Sequence, residues 1–420
     1  MRIFKFGGAS VKDADGIHNM YRVLEQTGHE QTLIVMSAMG KSTNAFEKLI
    51  QAYFDDAKQM ESQLNEIIEY HLGIMNEIFD HPKHDVFDQV KQRFDGLRTF
   101  LKNNKSPHYS FVYDQVVSTG ELVSTAIITH FLNEKGIAAN WLDARECIQT
   151  DTSYRDANVD WDKTEKAIRE KVNPDQFYIT QGFIGSDDNN FTTTLGREGS
   201  DYTAAIFAYC LNSNSVTIWK DVPGVLNADP RHFESTQLLH HISYLEAIEL
   251  AFYGASVIHP KTLQPLQRKE IPLHVKSFIN PNDEGTKVSK GVAIDSHIPC
   301  YIVKNNLSLI KLSSLDFSFI IEKNISDIFA MLHKYKMKVD LIQNSAISFS
   351  VCVFDKFGKI EELLHELRGR FQVDHKPNVS LYTIRHFQPE SATFLLRKHE
   401  LLLEQRTQET MQLVMRLKPS

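Results

Sequence analysis

The hexapeptide TLIVMS, residues 32–37, is apolar almost without a break and is closed by a serine. A half-exposed strand alternates polar and apolar residues. An unbroken run of this length instead suits a strand buried on both faces of a parallel sheet. Working outward, residues 2–6 (RIFKF), 137–142 (IAANWL), 177–180 (FYIT) and 216–219 (VTIW) read in the same style. Segments of helical period lie between them, at 45–79, 85–101 and 115–132. Alternation of β and α over this length predicts an α/β domain, a mainly parallel sheet sandwiched by helices. Residues 42–110 hold no convincing strand and end in KNNKSP (102–107), so they read as a helical excursion beside that sheet.

The polar, Gly/Pro-marked stretch NPNDEGTKVSKG, residues 280–291, is the best boundary in the chain. Beyond it, strands at 307–313, 339–343, 347–354 and 371–375 alternate with helices at 326–336 and 359–370. The order βαββαβ is the ferredoxin-like pattern. Residues 379–385 read as a further strand, and 401–404 with 411–417 as a hairpin across 406–409. The expected organisation is a first domain over 1–280, a linker over 281–297 and a second region over 298–420. Within that region 307–377 forms a complete module, and 298–304 with 378–420 a reduced one.

The 420 residues suit two or three domains. With 46 basic against 53 acidic residues the net charge is -7, which argues against a nucleic-acid or anionic-membrane surface. The four cysteines are far apart and read as free thiols in a reducing compartment. There is no secretory apolar core after the first residues and no run near the ~20 residues of a membrane span, so a cytoplasmic location is expected.

Gly40-Lys41-Ser42 imitates the end of a P-loop, but Val35 stands where the motif needs its first glycine. Neither GxGxxG after a strand nor HExxH is present, so a dinucleotide fold and a zinc site have no support and no protein metal ligand is expected. KFGGAS (5–10) is more informative. Its lysine ends the first strand, and two glycines let backbone N–H groups approach an anion. The bland alternative is a Gly-Gly turn with a solvated lysine. TLGREGSDY (194–202) gathers an arginine, a serine and an aspartate ahead of a helix. Capping explains Ser200 or Asp201 but not the planar fork of Arg197. KDVPGVLNADPR (220–231) and GASVIHPK (254–261) are two more Gly-marked loops. Together the four suit a nucleotide cradle at one edge of a parallel sheet.

Taken in order, KFGGAS, STGELVST, TLGREGSDYTAA, KDVPGVLNADPR and YGASVIHPKTL resemble the aspartate kinases of the amino-acid kinase superfamily, over about residues 1–375. The resemblance implies an amino-acid kinase domain followed by ferredoxin-like ACT modules. It also implies transfer of the ATP γ-phosphoryl group, with Mg²⁺, to the side-chain carboxylate of L-aspartate. The product would be L-4-aspartyl phosphate, on the way to lysine, threonine and methionine. By the same resemblance Lys5, Phe6, Gly7, Gly8 and Ser10 hold the phosphates. Ser37, Thr43, Asn44, Glu121, Arg197 and Ser200 hold the amino acid, with Glu121 on its ammonium and Arg197 on a carboxylate. Lys5 and Asp201 are catalytic, and Lys220, Asp221, Leu226, Arg231, Ser256 and Val257 meet the nucleotide. ACT modules imply a homodimer and a lysine or threonine effector near Val339, Asp340 and Ser345.

A carboxylate is already a nucleophile at neutral pH, so such a reaction needs positioning and charge neutralisation rather than a general base. The chain departs from the family at Ala9, where threonine is common, and at Ser256, where lysine is usual. Lys220 or Lys261 is the natural substitute for that lysine. The short second module is a third departure and implies weak or absent feedback. A kinase for another acidic amino acid, such as glutamate 5-kinase, and a non-catalytic amino-acid sensor are the competing readings.

Overall fold

All five residues of Thr32–Met36 are buried, as an unbroken apolar run requires. The computed structural model describes residues 1–81, 85–255, 258–291, 298–316 and 318–418. The chain divides into two units. The first comprises Met1–Val225, Leu238–Ile248 and Val257–Ala293, and the second Leu226–Gln237, Glu249–Ser256 and Ile294–Ser420.

In the first unit the strands are β1 (Arg2–Phe6), β2 (Thr32–Met36), β3 (Ala139–Leu142), β4 (Phe177–Gln181), β5 (Ile184–Ser186), β6 (Thr192–Thr194), β7 (Ser215–Lys220), β8 (His241–Ser243), β9 (Leu273–Ser277) and β10 (Thr286–Ser289). Its helices are α1 (Ala14–Thr27), α2 (Ser42–Asp55), α3 (Ala57–Ile78), α4 (Asp85–Asn103), α5 (Tyr109–Glu134), α6 (Trp161–Lys171) and α7 (Gly199–Leu211). Then come α8 (Tyr244–Tyr253), which runs across the division, and α9 (Pro260–Arg268).

Eight strands form one sheet in the order β3-β4-β2-β1-β7-β9-β10-β8, every pairing parallel except β9 with β10. The centre of the sheet is aromatic: Trp219 meets Phe4 edge-on at 5.6 Å and stacks on Phe6 at 6.0 Å. Such pairs add roughly 0.5–1.5 kcal/mol beyond the area they bury. Helix α5 packs on β3, β4 and β2 and on α2 and α4. Covered on several sides, it is buried almost all round. The excursion at 42–110 is helical, as α2, α3 and α4.

The stretch 280–291 differs from its irregular reading. It contains β10, which pairs with both β9 and β8. Four residues, TKVS, are too few and too polar to declare a strand, yet Thr286 and Val288 alternate inward.

The second unit carries β11 (Cys300–Ser313), α10 (Glu322–Lys334), β12 (Lys338–Asn344), β13 (Ser348–Phe354), α11 (Ile360–Arg368), β14 (Gln372–Arg385), α12 (Thr393–Lys398), β15 (His399–Arg406) and β16 (Thr410–Leu417). Its six-stranded antiparallel sheet runs β12-β13-β11-β14-β16-β15. The βαββαβ order is present, and α10 and α11 supply a core with Ile328, Leu332, Leu363 and Leu367. The strands read separately at 371–375 and 379–385 are one strand, β14. The ladder with β11 shifts register between Lys304 and Leu309, with Asn306 and Asn378 in the left-handed region.

Candidate active site

Ligands of open parallel sheets bind beyond the carboxyl ends of the strands. Adjacent strands β1 and β7 deliver Lys5 and Lys220 there, and the first turn of α7 delivers Asp201 between them. Lys5 Nζ lies 2.6 Å from Asp201 Oδ1 and Lys220 Nζ 3.8 Å from Oδ2. Burial alone would raise the Asp201 carboxyl, but the two ammonium groups outweigh it and hold the group below the usual carboxylate range. The aspartate is therefore an anion that holds both cations in place.

Around this trio is a cavity of about 320 Å³, lined also by Ser37, Thr43, Glu121, Phe183, Gly196, Glu198, Gly199 and Ser200. Ser37, just beyond β2, donates from its hydroxyl to Ser200 Oγ at 3.0 Å. Ser124 of α5 donates to the Ser37 carbonyl at 2.9 Å, which fixes that backbone. Glu121, on the same helix, is buried, and its Oε2 has no hydrogen-bond partner. Burial pushes this carboxyl up to about 8, against the pull of backbone hydrogen bonds at Glu121 and Ala38. Desolvation explains the shift.

Two glycines allow these elements to meet. A Cβ on Gly8 would sit 2.6 Å from the carbonyl oxygens of both Ala38 and Gly40. The loop after β1 is thus pressed against the loop after β2, and Gly40 N–H donates to the Gly8 carbonyl at 3.0 Å. A Cβ on Gly182 would sit 2.5 Å from Ser200 Cβ. That close approach of the chain beyond β4 to the start of α7 sets Ser200 opposite Ser37.

The cavity brings together Lys5, Ser37, Thr43, Glu121, Ser200, Asp201 and Lys220 of the residues expected from sequence. Asn44 is exposed on the first turn of α2, and Arg197 is exposed on the loop before α7. Neither lines the cavity. The Phe6 side chain belongs to the core, stacked on Trp219. Gly7 and Ser10 lie in the loop after β1, where Ser10 N–H donates to the Gly7 carbonyl at 3.0 Å. Ser10 is buried with its hydroxyl unpaired. Asp221 is exposed just after β7. Leu226 and Arg231 lie in the segment 226–237 of the second unit. The Arg231 guanidinium is forked onto Asp229, with Nε 3.0 Å from both carboxylate oxygens. Ser256 and Val257 lie outside the described residues.

Of the two lysines proposed to stand in for the lysine usual at 256, Lys220 is in the cavity wall, whereas Lys261 is ion-paired with Asp156. Among the described residues no three histidine, cysteine or acidic side chains cluster as a metal site.

Sequence reading passed over Glu198, Gly182 and Phe183. Glu198 lines the cavity with an unpartnered buried Oε2 and holds a left-handed φ of 54° just before α7. That conformation is uncommon outside glycine. An acidic residue between Arg197 and Gly199 was the available signal.

The Amino acid kinase family model matches residues 1–277. The chain belongs to that family. Within it the chain sits among the aspartokinases: it is 30% identical over 393 residues to lysine-sensitive aspartokinase 3 of Escherichia coli, covering 91% of this chain and 86% of the relative. The solved E. coli aspartokinase III with lysine and aspartate superposes with a TM-score of 0.82 at 26% identity, covering 99% of this chain and 95% of that one. The aspartate kinase of Clostridium acetobutylicum, at 22% identity and a TM-score of 0.81 over 99% and 96% of the chains, shares the fold. A bifunctional aspartokinase/homoserine dehydrogenase of Daucus carota is 28% identical over 90% of this chain, which spans 44% of that relative's length. No described helix is long and apolar enough to cross a membrane.

Proposed function

We propose that the chain phosphorylates the side-chain carboxylate of L-aspartate with ATP, giving L-4-aspartyl phosphate. One observation carries this reading: a single cavity joins the Lys5–Asp201–Lys220 trio to the serine pair Ser37–Ser200 and to the orphaned acid Glu121. The lysines supply the charge that builds on a transferred phosphoryl group, and Asp201 fixes them before substrate arrives. Glu121 and Glu198, each with an unpartnered oxygen in the cavity wall, suit an ammonium group. That chemistry separates an amino acid from a plain dicarboxylate. The substrate carboxylate attacks unaided.

The anionic Asp201 carboxylate would hold a Mg²⁺ brought in with the nucleotide, which would supply further positive charge at the phosphates. The solved relatives with aspartate and ADP and with lysine support the choice of substrates and of a regulatory second unit. We assign residues 1–280 to catalysis and 298–420 to an ACT region that pairs two copies of the chain.

The test is ADP release by purified protein with MgATP and each of aspartate, glutamate and succinate. Release with aspartate alone is expected. Equal release with glutamate or succinate would overturn the substrate assignment, and none with any acceptor would overturn the kinase reading.

A further inference from the structure

The segment 226–237 leaves the first unit's chain, joins the second unit and returns, and one wall of a separate cavity is built from it. The Asn227 carbonyl accepts from Tyr301 N–H at 2.7 Å, its side-chain amide donates to the Pro299 carbonyl at 3.0 Å, and its Oδ1 accepts from Gln237 N–H at 2.7 Å. Pinned this way, Phe233 meets Tyr301 and Phe394 at ring centroid distances of 5.5 and 6.3 Å, and Tyr301 meets Phe394 at 5.7 Å. The cavity they line measures about 520 Å³, inside the usual range of roughly 300–1,000 Å³ for small-molecule sites.

The wall continues through Tyr382 and His399, whose relative placement is fixed. The Leu395 carbonyl lies 3.0 Å from His399 Nδ1, so that nitrogen carries the proton, and Nε2, 3.3 Å from Tyr382 Oη, accepts. Phe394 nevertheless remains 44% exposed, a large ring with one side uncovered. Glu234 and Lys398, both exposed, also line the cavity.

From these features we infer that the second unit holds a binding site for a free aromatic α-amino acid, apart from the Lys5–Asp201 cavity. The ring stacks among Phe233, Tyr301 and Phe394, the ammonium faces Glu234, and the carboxylate faces Lys398. A planar anion such as a mononucleotide uses the rings and the lysine but brings its phosphate to Glu234. An aromatic amine leaves Lys398 unused. Only the zwitterion satisfies both charges and the rings. The site belongs to the segment that continues from KDVPGV, so on the kinase reading its occupancy would alter nucleotide affinity. The binding claim itself does not depend on that reading.

The experiment is calorimetric titration of the full chain, without nucleotide, using L-phenylalanine, L-tryptophan, phenethylamine, phenylpropionate and AMP. Saturable binding of an aromatic amino acid is expected, about tenfold tighter than either half-charged analogue. Lys398→Ala and Glu234→Gln should each weaken it about tenfold, and Phe394→Ala at least as much, while aspartate-dependent ADP release without added aromatic amino acid stays unchanged. No saturable binding, binding indifferent to all three substitutions, or AMP binding in preference would overturn the proposal. Binding that persists in a chain lacking kinase activity would overturn the proposed function and leave this site standing.

Discussion

Lys5 and Glu121 line the same cavity and are prepared in opposite ways. Lys5 is neutralised in advance by Asp201 at 2.6 Å, so its position is fixed before any phosphate arrives. Removing it takes away a charge directed at the transferred group and leaves buried Asp201 with Lys220, 3.8 Å away, as its remaining partner in the trio. Lys5→Ala should lower turnover by about 10²–10³-fold, the effect of losing one such contact. Steady-state kinetics on a variant whose circular dichroism is unchanged would check this, and near-normal turnover would remove Lys5 from catalysis.

Glu121 has an Oε2 without a hydrogen-bond partner, and burial pushes its carboxyl up to about 8. A substrate ammonium must find it ionised, so binding at pH 6 to 8 releases a proton. Aspartate affinity should therefore rise as pH rises, by up to about tenfold per unit, and level off above pH 8. In Glu121→Gln the affinity should be lower and flat with pH. Titrations in two buffers of different ionisation enthalpy would reveal the proton, and identical apparent heats would contradict its release.

Among the elements, the long helices α3 and α4 and the central strands were legible, whereas β9, α6 and most of the shortest strands were not. The burial of β2 follows from its nearly continuous apolar run, that of β1, β4 and β7 from short β-rich runs interrupted by Lys5, Thr180 and Thr217, and α3 and α4 follow from helical period. Strands β5, β6, β8 and β10 have three or four residues each, and sequences such as TTT and TKVS gain strand character only from their neighbours in the sheet. The candidate site divides in the same way. Residues inside Gly-marked loops, such as Lys5, Ser200 and Asp201, could be singled out. Gly182 could not, because its role is a distance to Ser200 across 18 positions of chain.

Helix α3 carries a further consequence. His71 is fully buried, its Nδ1 2.7 Å from the Ile67 carbonyl and its Nε2 unpartnered, and burial brings its pKa down to about 4. The unfolded chain therefore binds this proton more readily than the fold does. Stability is retained above the ordinary value of 6.5 and is lost as pH falls from there towards 4. Between pH 7 and 5 the loss from this group is about 2 kcal/mol. Urea unfolding of wild type and His71→Phe at both pH values should show the wild type losing that much more, and parallel losses would exclude His71 as the cause.

At the scale of the whole molecule the question is what the second unit responds to. The six-stranded sheet holds one βαββαβ module, completed on its other side by the hairpin β15–β16 and the short helix α12. The expected effector residues Val339 and Asp340 lie on β12, and Ser345 is in the turn that follows it, exposed. Asp340 is not waiting for a ligand. Its carboxylate is 4% exposed and lies 2.6 Å from Lys304 Nζ on β11. If Asp340 is the anion that receives a lysine effector, as expected from sequence, an amine of the chain's own Lys304 already occupies it. Feedback by free lysine should consequently be weak.

Removing that amine reverses the argument. Breaking a buried pair by deleting one partner typically costs about 3–5 kcal/mol, because the remaining charge is stranded. Lys304→Ala should therefore lower the melting temperature, and added lysine should recover part of the loss while leaving the wild type almost unmoved. The same variant should gain inhibition by lysine where the wild type has little. Norleucine, which lacks the side-chain amine, should do neither. Strong lysine inhibition of the wild type, or a Lys304→Ala protein as indifferent to lysine as its parent, would mean that Asp340 is only a structural partner of β11.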